Sequence, residues 1–68
     1  MKLSIECERE TDGRWIAEIV QIPGAMAYGT TRDEAMARAE IVALRTLADR
    51  IEHGEAKPID ISISLAAA

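Results

Sequence analysis

The sequence predicts an α+β fold in the order β-β-β-α-β. Three observations predict it. Apolar and polar residues alternate with a period of two near both ends of the chain. Two glycine-bearing turns, Asp12-Gly13 and Pro23-Gly24, divide the first 29 residues into three short segments. A single stretch free of Pro and Gly then runs from Arg32 to about His53, long enough for a helix of about six turns.

The first strand rests on Leu3, Ile5 and Cys7 alternating with Ser4, Glu6 and Glu8. Glu10-Thr11-Asp12-Gly13 follows, and Asp-Gly is a hairpin signal. Arg14 to Ile22 reads as the second strand, with Trp15, Ala17 and Ile19 on one face and Ile16, Glu18 and Val20 on the other. Pro23-Gly24 ends it, because Pro cannot donate to a ladder. Ala25 to Tyr28 forms a third strand with Met26 and Tyr28 on one side, and Gly29 closes it.

Thr31-Arg32-Asp33-Glu34 has the capping-box form, in which Thr31 accepts from the N–H of Glu34 and the Glu34 carboxylate reaches back to the N–H of Thr31. Asp33 and Glu34 suit the positive end of the helix dipole. Met36, Ala43, Leu44, Leu47 and Ile51 are expected on the buried side, with Arg38, Arg45, Asp49 and Glu52 opposite. Gly54 and Pro58 stop the helix. Ile59, Ile61, Ile63 and Leu65 alternate with Asp60, Ser62 and Ser64 as a fourth strand, and Ala66-Ala67-Ala68 carries no signal. The expected architecture is one domain over residues 1–68. It is a four-stranded mixed sheet, the helix on one face and the last strand parallel to the first after a right-handed crossover.

Composition narrows the function. Of 68 residues, 49% are hydrophobic; twelve are alanine and Phe is absent, so the core must be aliphatic and thin. Help from a partner chain is expected. No apolar run exceeds four residues, far short of a membrane span, and the alternating start has no signal-peptide core. One cysteine makes no internal disulfide, and a cytoplasmic protein is the simplest reading. The net charge of −4 repels nucleic acid and suits a basic partner.

Catalytic signals are sparse. Glu6, Glu8 and Glu18 could hold a divalent metal and define a metal-dependent hydrolase, yet a row of carboxylates on a strand is more often a solvated face. His53 could be a general base, but it sits where an imidazole caps a helix C-terminus. Cys7 shares the inward row of the first strand and reads as a structural thiol. Ser62 and Ser64 lack nucleophile-elbow glycines, and there is no phosphate loop or aromatic ladder. Arg38 and Arg45, seven apart, lie among acids, which marks a salt-bridged or partner-binding face rather than a phosphate track. No enzyme, no cofactor and no metal is expected. Ile16, Glu18, Val20 and Val42 are the candidate interface residues, since each puts an apolar or acidic group where solvent or a partner must cover it.

The run Trp15-Ile16-Ala17-Glu18-Ile19-Val20-Gln21-Ile22-Pro23-Gly24-Ala25-Met26-Ala27-Tyr28-Gly29-Thr30-Thr31-Arg32-Asp33-Glu34-Ala35 resembles the HicB antitoxin family. The matching pieces are the Pro23-Gly24 turn, the short strand, and Gly29-x-Thr31-x-x-Glu34-Ala35 opening a helix. The resemblance implies a fold similar to a truncated ribonuclease H core. It also implies a partner: a small, basic HicA-like toxin that cleaves messenger RNA and whose active surface the antitoxin covers. It implies a dimer or larger homo-oligomer as well. Ala25 stands where many members have a small polar residue or cysteine. Larger members carry a C-terminal DNA-binding segment, whereas this sequence stops at Ala68, so direct DNA binding is not expected of it. The alternative is an orphan HicB-like homo-oligomer with a structural or regulatory role and no toxin. Pro23, Gly24, Gly29, Thr31, Glu34 and Ala35 are expected to be mainly structural.

Overall fold

A computed structural model describes residues 2–54 and, for the backbone, residues 62–65. Three antiparallel strands and one helix form the body of the α+β unit: β1 (Lys2–Arg9), β2 (Trp15–Ile19), β3 (Met26–Gly29) and α1 (Arg32–Glu52). A fourth segment, β4 (Ser62–Leu65), runs parallel to β1, giving the order β3-β2-β1-β4. Pro58, Ile59, Ile61 and the alanine tail lie outside the described residues.

Register follows the alternation in the sequence. Ile5 faces Ile19 and Cys7 faces Ala17 across β1 and β2, and Ala17 faces Ala27 across β2 and β3. These residues share the face that carries the helix. Leu3, Ile5, Ala17 and Ile19 are fully buried there against Ala35, Met36, Ala39, Ala43 and Leu47, with Cys7, Trp15 and Ala27 packed at the margin. Three of the five buried helix residues are alanines at four-residue spacing, so the helix backbone comes close to the sheet. A thin aliphatic core follows from that closeness.

The second strand is shorter than Arg14–Ile22. It ends at Ile19, because the N–H of Ile22 turns back to the Ile19 carbonyl at 3.1 Å. A second turn follows at once, with Ala25 N–H donating to Ile22 C=O at 3.0 Å. Pro23 and Gly24 are its central residues, and Gly24 has φ +86°, the conformation a type II turn demands at that position. The two turns swing Ile22 under the sheet, where it is 1% exposed. Gln21 takes over where the ladder stops: its side-chain oxygen accepts from Ser4 N–H at 2.9 Å. β3 is accordingly shifted by one residue from the expected Ala25–Tyr28.

The helix differs from expectation at its outer flank. Leu44 and Ile51, expected inside, are 44% and 37% exposed, while Ala35 and Ala39 take the inward positions. The buried stripe ends at Leu47, so the last described turn projects past the core. His53 is the C-cap: its backbone N–H donates to Asp49 C=O at 3.0 Å.

At the start of α1 the chain reverses in two residues. Thr31 Oγ1 accepts from Glu34 N–H at 3.1 Å, as the capping box requires. The return contact differs. Glu34 Oε1 accepts from the N–H of Thr30 at 3.0 Å, not that of Thr31. Gly29 is pressed against this turn: a Cβ there would lie 2.5 Å from Ala35 N and 3.0 Å from Ala35 Cα. Backbone cannot yield as a flexible side chain can, so only glycine fits.

Two outcomes test this junction. Gly29→Ala is expected to destabilise the fold by about 1–3 kcal/mol through overpacking, and Thr31→Ala by about 1 kcal/mol through loss of the cap, both read by urea denaturation. The bond from Thr30 N–H, then the Arg38 charge, hold the Glu34 carboxyl below its ordinary range. A lowered folded-state value stabilises above the unfolded-chain value and is lost as pH falls through the folded one. Glu34→Gln should therefore flatten the acid limb of a stability–pH curve and leave its neutral-to-alkaline shape unchanged.

Candidate functional site

Among the described residues, the helix covers one face of the sheet and nothing covers the other. Side chains on that open face come from alternate positions of each strand. Glu6 lies directly opposite Glu18, which lies opposite Met26. In the next row Glu8 lies opposite Ile16, which lies opposite Tyr28. Met26 and Tyr28 are more than 40% exposed. The face is therefore acidic toward β1 and apolar or aromatic toward β3.

The Arg14 guanidinium sits over the Tyr28 ring, 4.5 Å from its centroid. This contact contributes on the order of 0.5–1 kcal/mol at an exposed site. Asp12 orients the same guanidinium: Arg14 Nε donates to its Oδ2 at 2.9 Å, and Arg14 N–H to its Oδ1 at 3.0 Å. The backbone bond first, then the side-chain bond, hold the Asp12 carboxyl below its usual range. The stack carries no signal in the sequence, because it depends on the register that brings the hairpin end of β2 beside β3.

The β3 edge is partly closed by hydrogen bonds. In an antiparallel ladder, alternate residues turn their N–H and C=O outward. Ile19 N–H donates to Ala25 C=O at 2.8 Å, which sets Met26 and Tyr28 as the outward pair. Arg38 Nη1 donates to the Tyr28 carbonyl at 3.0 Å, and Met26 N–H donates to Gly24 C=O at 3.0 Å. Arg38 also lies 3.4 Å from Glu34. It serves the edge and the helix start together.

The sequence-derived candidates separate into groups. Ile16 and Glu18 share the open face. Val20 stands in the turn after β2, its N–H on Ser4 C=O at 3.3 Å. Val42 is on the outer surface of α1, across the molecule from Ile16, where its carbonyl accepts from Thr46 Oγ1 at 2.8 Å. These four do not form one patch. Pro23 and Gly24 make the β2–β3 turn, and Gly29, Thr31, Glu34 and Ala35 make the β3–α1 junction. His53 Nδ1 lies 2.8 Å from the Asp49 carbonyl and 3.2 Å from its carboxylate. Cys7 is half-buried beside the core. Glu6 and Glu18 are neighbours, but among the described residues no group of three His, Cys, Asp or Glu is arranged to hold a metal ion. No described helix is long and apolar enough to cross a membrane.

No protein-family model matches the chain, and no curated protein matches it. A solved structure does: the N-terminal domain of the antitoxin HicB from Burkholderia pseudomallei. The superposition has a TM-score of 0.73 at 22% sequence identity, covering 85% of this chain and 68% of that one. With β3, its turn and the capped helix already in place, this likeness establishes the architecture: the chain has the fold of a HicB N-terminal domain.

Proposed function

We propose that this protein is a HicB-like antitoxin module that binds and neutralises a small, basic HicA-like toxin by covering its messenger-RNA-cleaving surface. The fold likeness supports a role of this class. The observation that carries the contact is the pairing of Glu6 with Glu18. Like charges directly opposite on a sheet are destabilising, so stability of the lone chain does not account for them. A basic surface set against this face would convert the repulsion into attraction. The exposed Tyr28 and Met26 beside the acids supply what a binding face needs besides charge. The net charge of −4 would speed encounter with a cationic partner. Action is by occlusion, and no residue of this chain performs chemistry.

The second reading is an orphan homo-oligomer with no toxin, to which the exposed flank of α1 is open as much as to a self-associating antitoxin. One experiment separates the two. The chain is titrated into a purified HicA-like toxin while RNA cleavage is followed. Cleavage is expected to stop near equimolar antitoxin and to recover as salt is raised. No inhibition and no binding would leave the orphan reading in possession. The double variant Glu6→Lys, Glu18→Lys is expected to weaken inhibition at least about tenfold. Glu18→Gln alone should stabilise the free chain by up to about 0.5 kcal/mol in denaturation while weakening binding. Stabilisation without weaker binding would place the contact elsewhere.

A further inference from the structure

The open sheet face is acidic, yet one base is held firmly beside it. Arg14 stands just before β2, in the alternation that continues to Ile16 and Glu18. Its guanidinium is fixed from two sides. Nε donates to Asp12 Oδ2 at 2.9 Å, and the Tyr28 ring lies beneath, its centroid 4.5 Å from Cζ. The side chain is nevertheless 56% exposed. Among the described residues, Nη1 and Nη2 have no hydrogen-bond partner. These are the nitrogens whose parallel N–H groups can grip both oxygens of a carboxylate.

The hairpin does not need this arrangement. Gly13 N–H donates to Glu10 C=O at 3.0 Å, and Glu10 N–H donates to Arg14 C=O at 2.7 Å. Gly13 supplies the positive φ, +92°. Backbone bonds thus close the turn, and the guanidinium takes no part in them. Lys2, the other base in these alternate positions, lies at the far end of β1.

We infer that Arg14 is a specificity contact for the toxin, its Nη1–H and Nη2–H donating to an Asp or Glu carboxylate on the toxin's otherwise basic surface. This contact rests on the toxin reading above and names one partner group within it. Charge selects a single carboxylate. Glu6, Glu8 and Glu18 occupy the same face and would repel the run of phosphates of an RNA. A lone acid among bases fits the whole pattern: the bases meet Glu6, Glu8 and Glu18, and the acid meets Arg14. A wholly acidic face could meet a wholly basic one in several orientations. One reversed pair penalises all but one of them. Binding also costs Arg14 little freedom, because Asp12 and Tyr28 have already removed it.

Association and dissociation rates of the full chain with a purified HicA-like toxin test this contact. Arg14→Ala removes one positive charge and takes the net charge from −4 to −5. Overall attraction to a basic toxin would then tighten binding. Binding is expected instead to weaken at least about tenfold, through faster dissociation. Arg14→Lys keeps the charge but not the fork, and should lose about as much with an unchanged association rate. Both variants should keep the native helical circular-dichroism signal, since Arg14 lies outside the core. Each Asp and Glu of the toxin is also replaced in turn by Asn or Gln. One such change is expected to weaken binding to the native chain and to cost nothing further against Arg14→Ala. A native chain that does not bind the toxin would remove the toxin reading, and this contact with it. Native binding matched or exceeded by Arg14→Ala would leave that reading standing and overturn the contact. Native-like binding by Arg14→Lys, or no toxin carboxylate coupled to Arg14, would overturn the assignment of a carboxylate.

Discussion

Everything else in the fold leans on one close approach: the backbone of Gly29 against the first turn of α1 at Ala35. It fixes where β3 stops and where the helix starts, and allows only two residues between them. The Thr31 cap and the Glu34 bond to Thr30 N–H satisfy the donors that such a tight reversal would otherwise leave unpaired. Arg38, one turn further along, anchors the same region by holding the Tyr28 carbonyl. Gly29, Thr31, Glu34 and Ala35 thus act as one joint. The direction in which α1 leaves that joint decides which of its faces meets the sheet.

Close approach also governs the core. With Ala35, Ala39 and Ala43 at the contact, the helix rides near the sheet, and Leu3, Ile5, Ile19 and Ile22 fill the remaining space. No phenylalanine is needed. At about 1.5 Å per residue the 21 residues of α1 span roughly 32 Å, much longer than the neighbouring strand β3, whose four residues span about 13 Å. Beyond Leu47 the helix has no described core beneath it, and its larger apolar residues Leu44 and Ile51 stand outside.

The molecule therefore presents two surfaces of different character. The open sheet face sets paired carboxylates beside an arginine-stacked tyrosine and suits a basic protein surface. The outer flank of α1 carries exposed apolar residues, Ile41, Leu44 and Ile51 among them. They lie on opposite sides of the sheet. A chain of this size holds such groups outside because it buries only roughly 60% of the surface its unfolded form exposes, a smaller share than a larger domain buries.

Strand alternation, the two glycine turns and the capping box were legible in the residues, because each depends on local conformation and a period of two or four. The antiparallel order of β1, β2 and β3 followed from their short turns. Local signals failed where a distant part of the chain made the choice. Ile22 looked like the end of a strand, but an available core position turned it inward through two successive turns. Leu44 and Ile51 looked buried because a helix pattern shows how apolar residues cluster and not which cluster meets the sheet. Glu34 bonds Thr30 rather than Thr31, a choice that the capping-box pattern does not itself make. The Arg14–Tyr28 stack and the separation of Val42 from Ile16 needed the packed molecule. The amino-acid order determined the elements and their caps; only packing decided which side of each element is covered, because burial is a property of two surfaces meeting and a sequence describes one at a time.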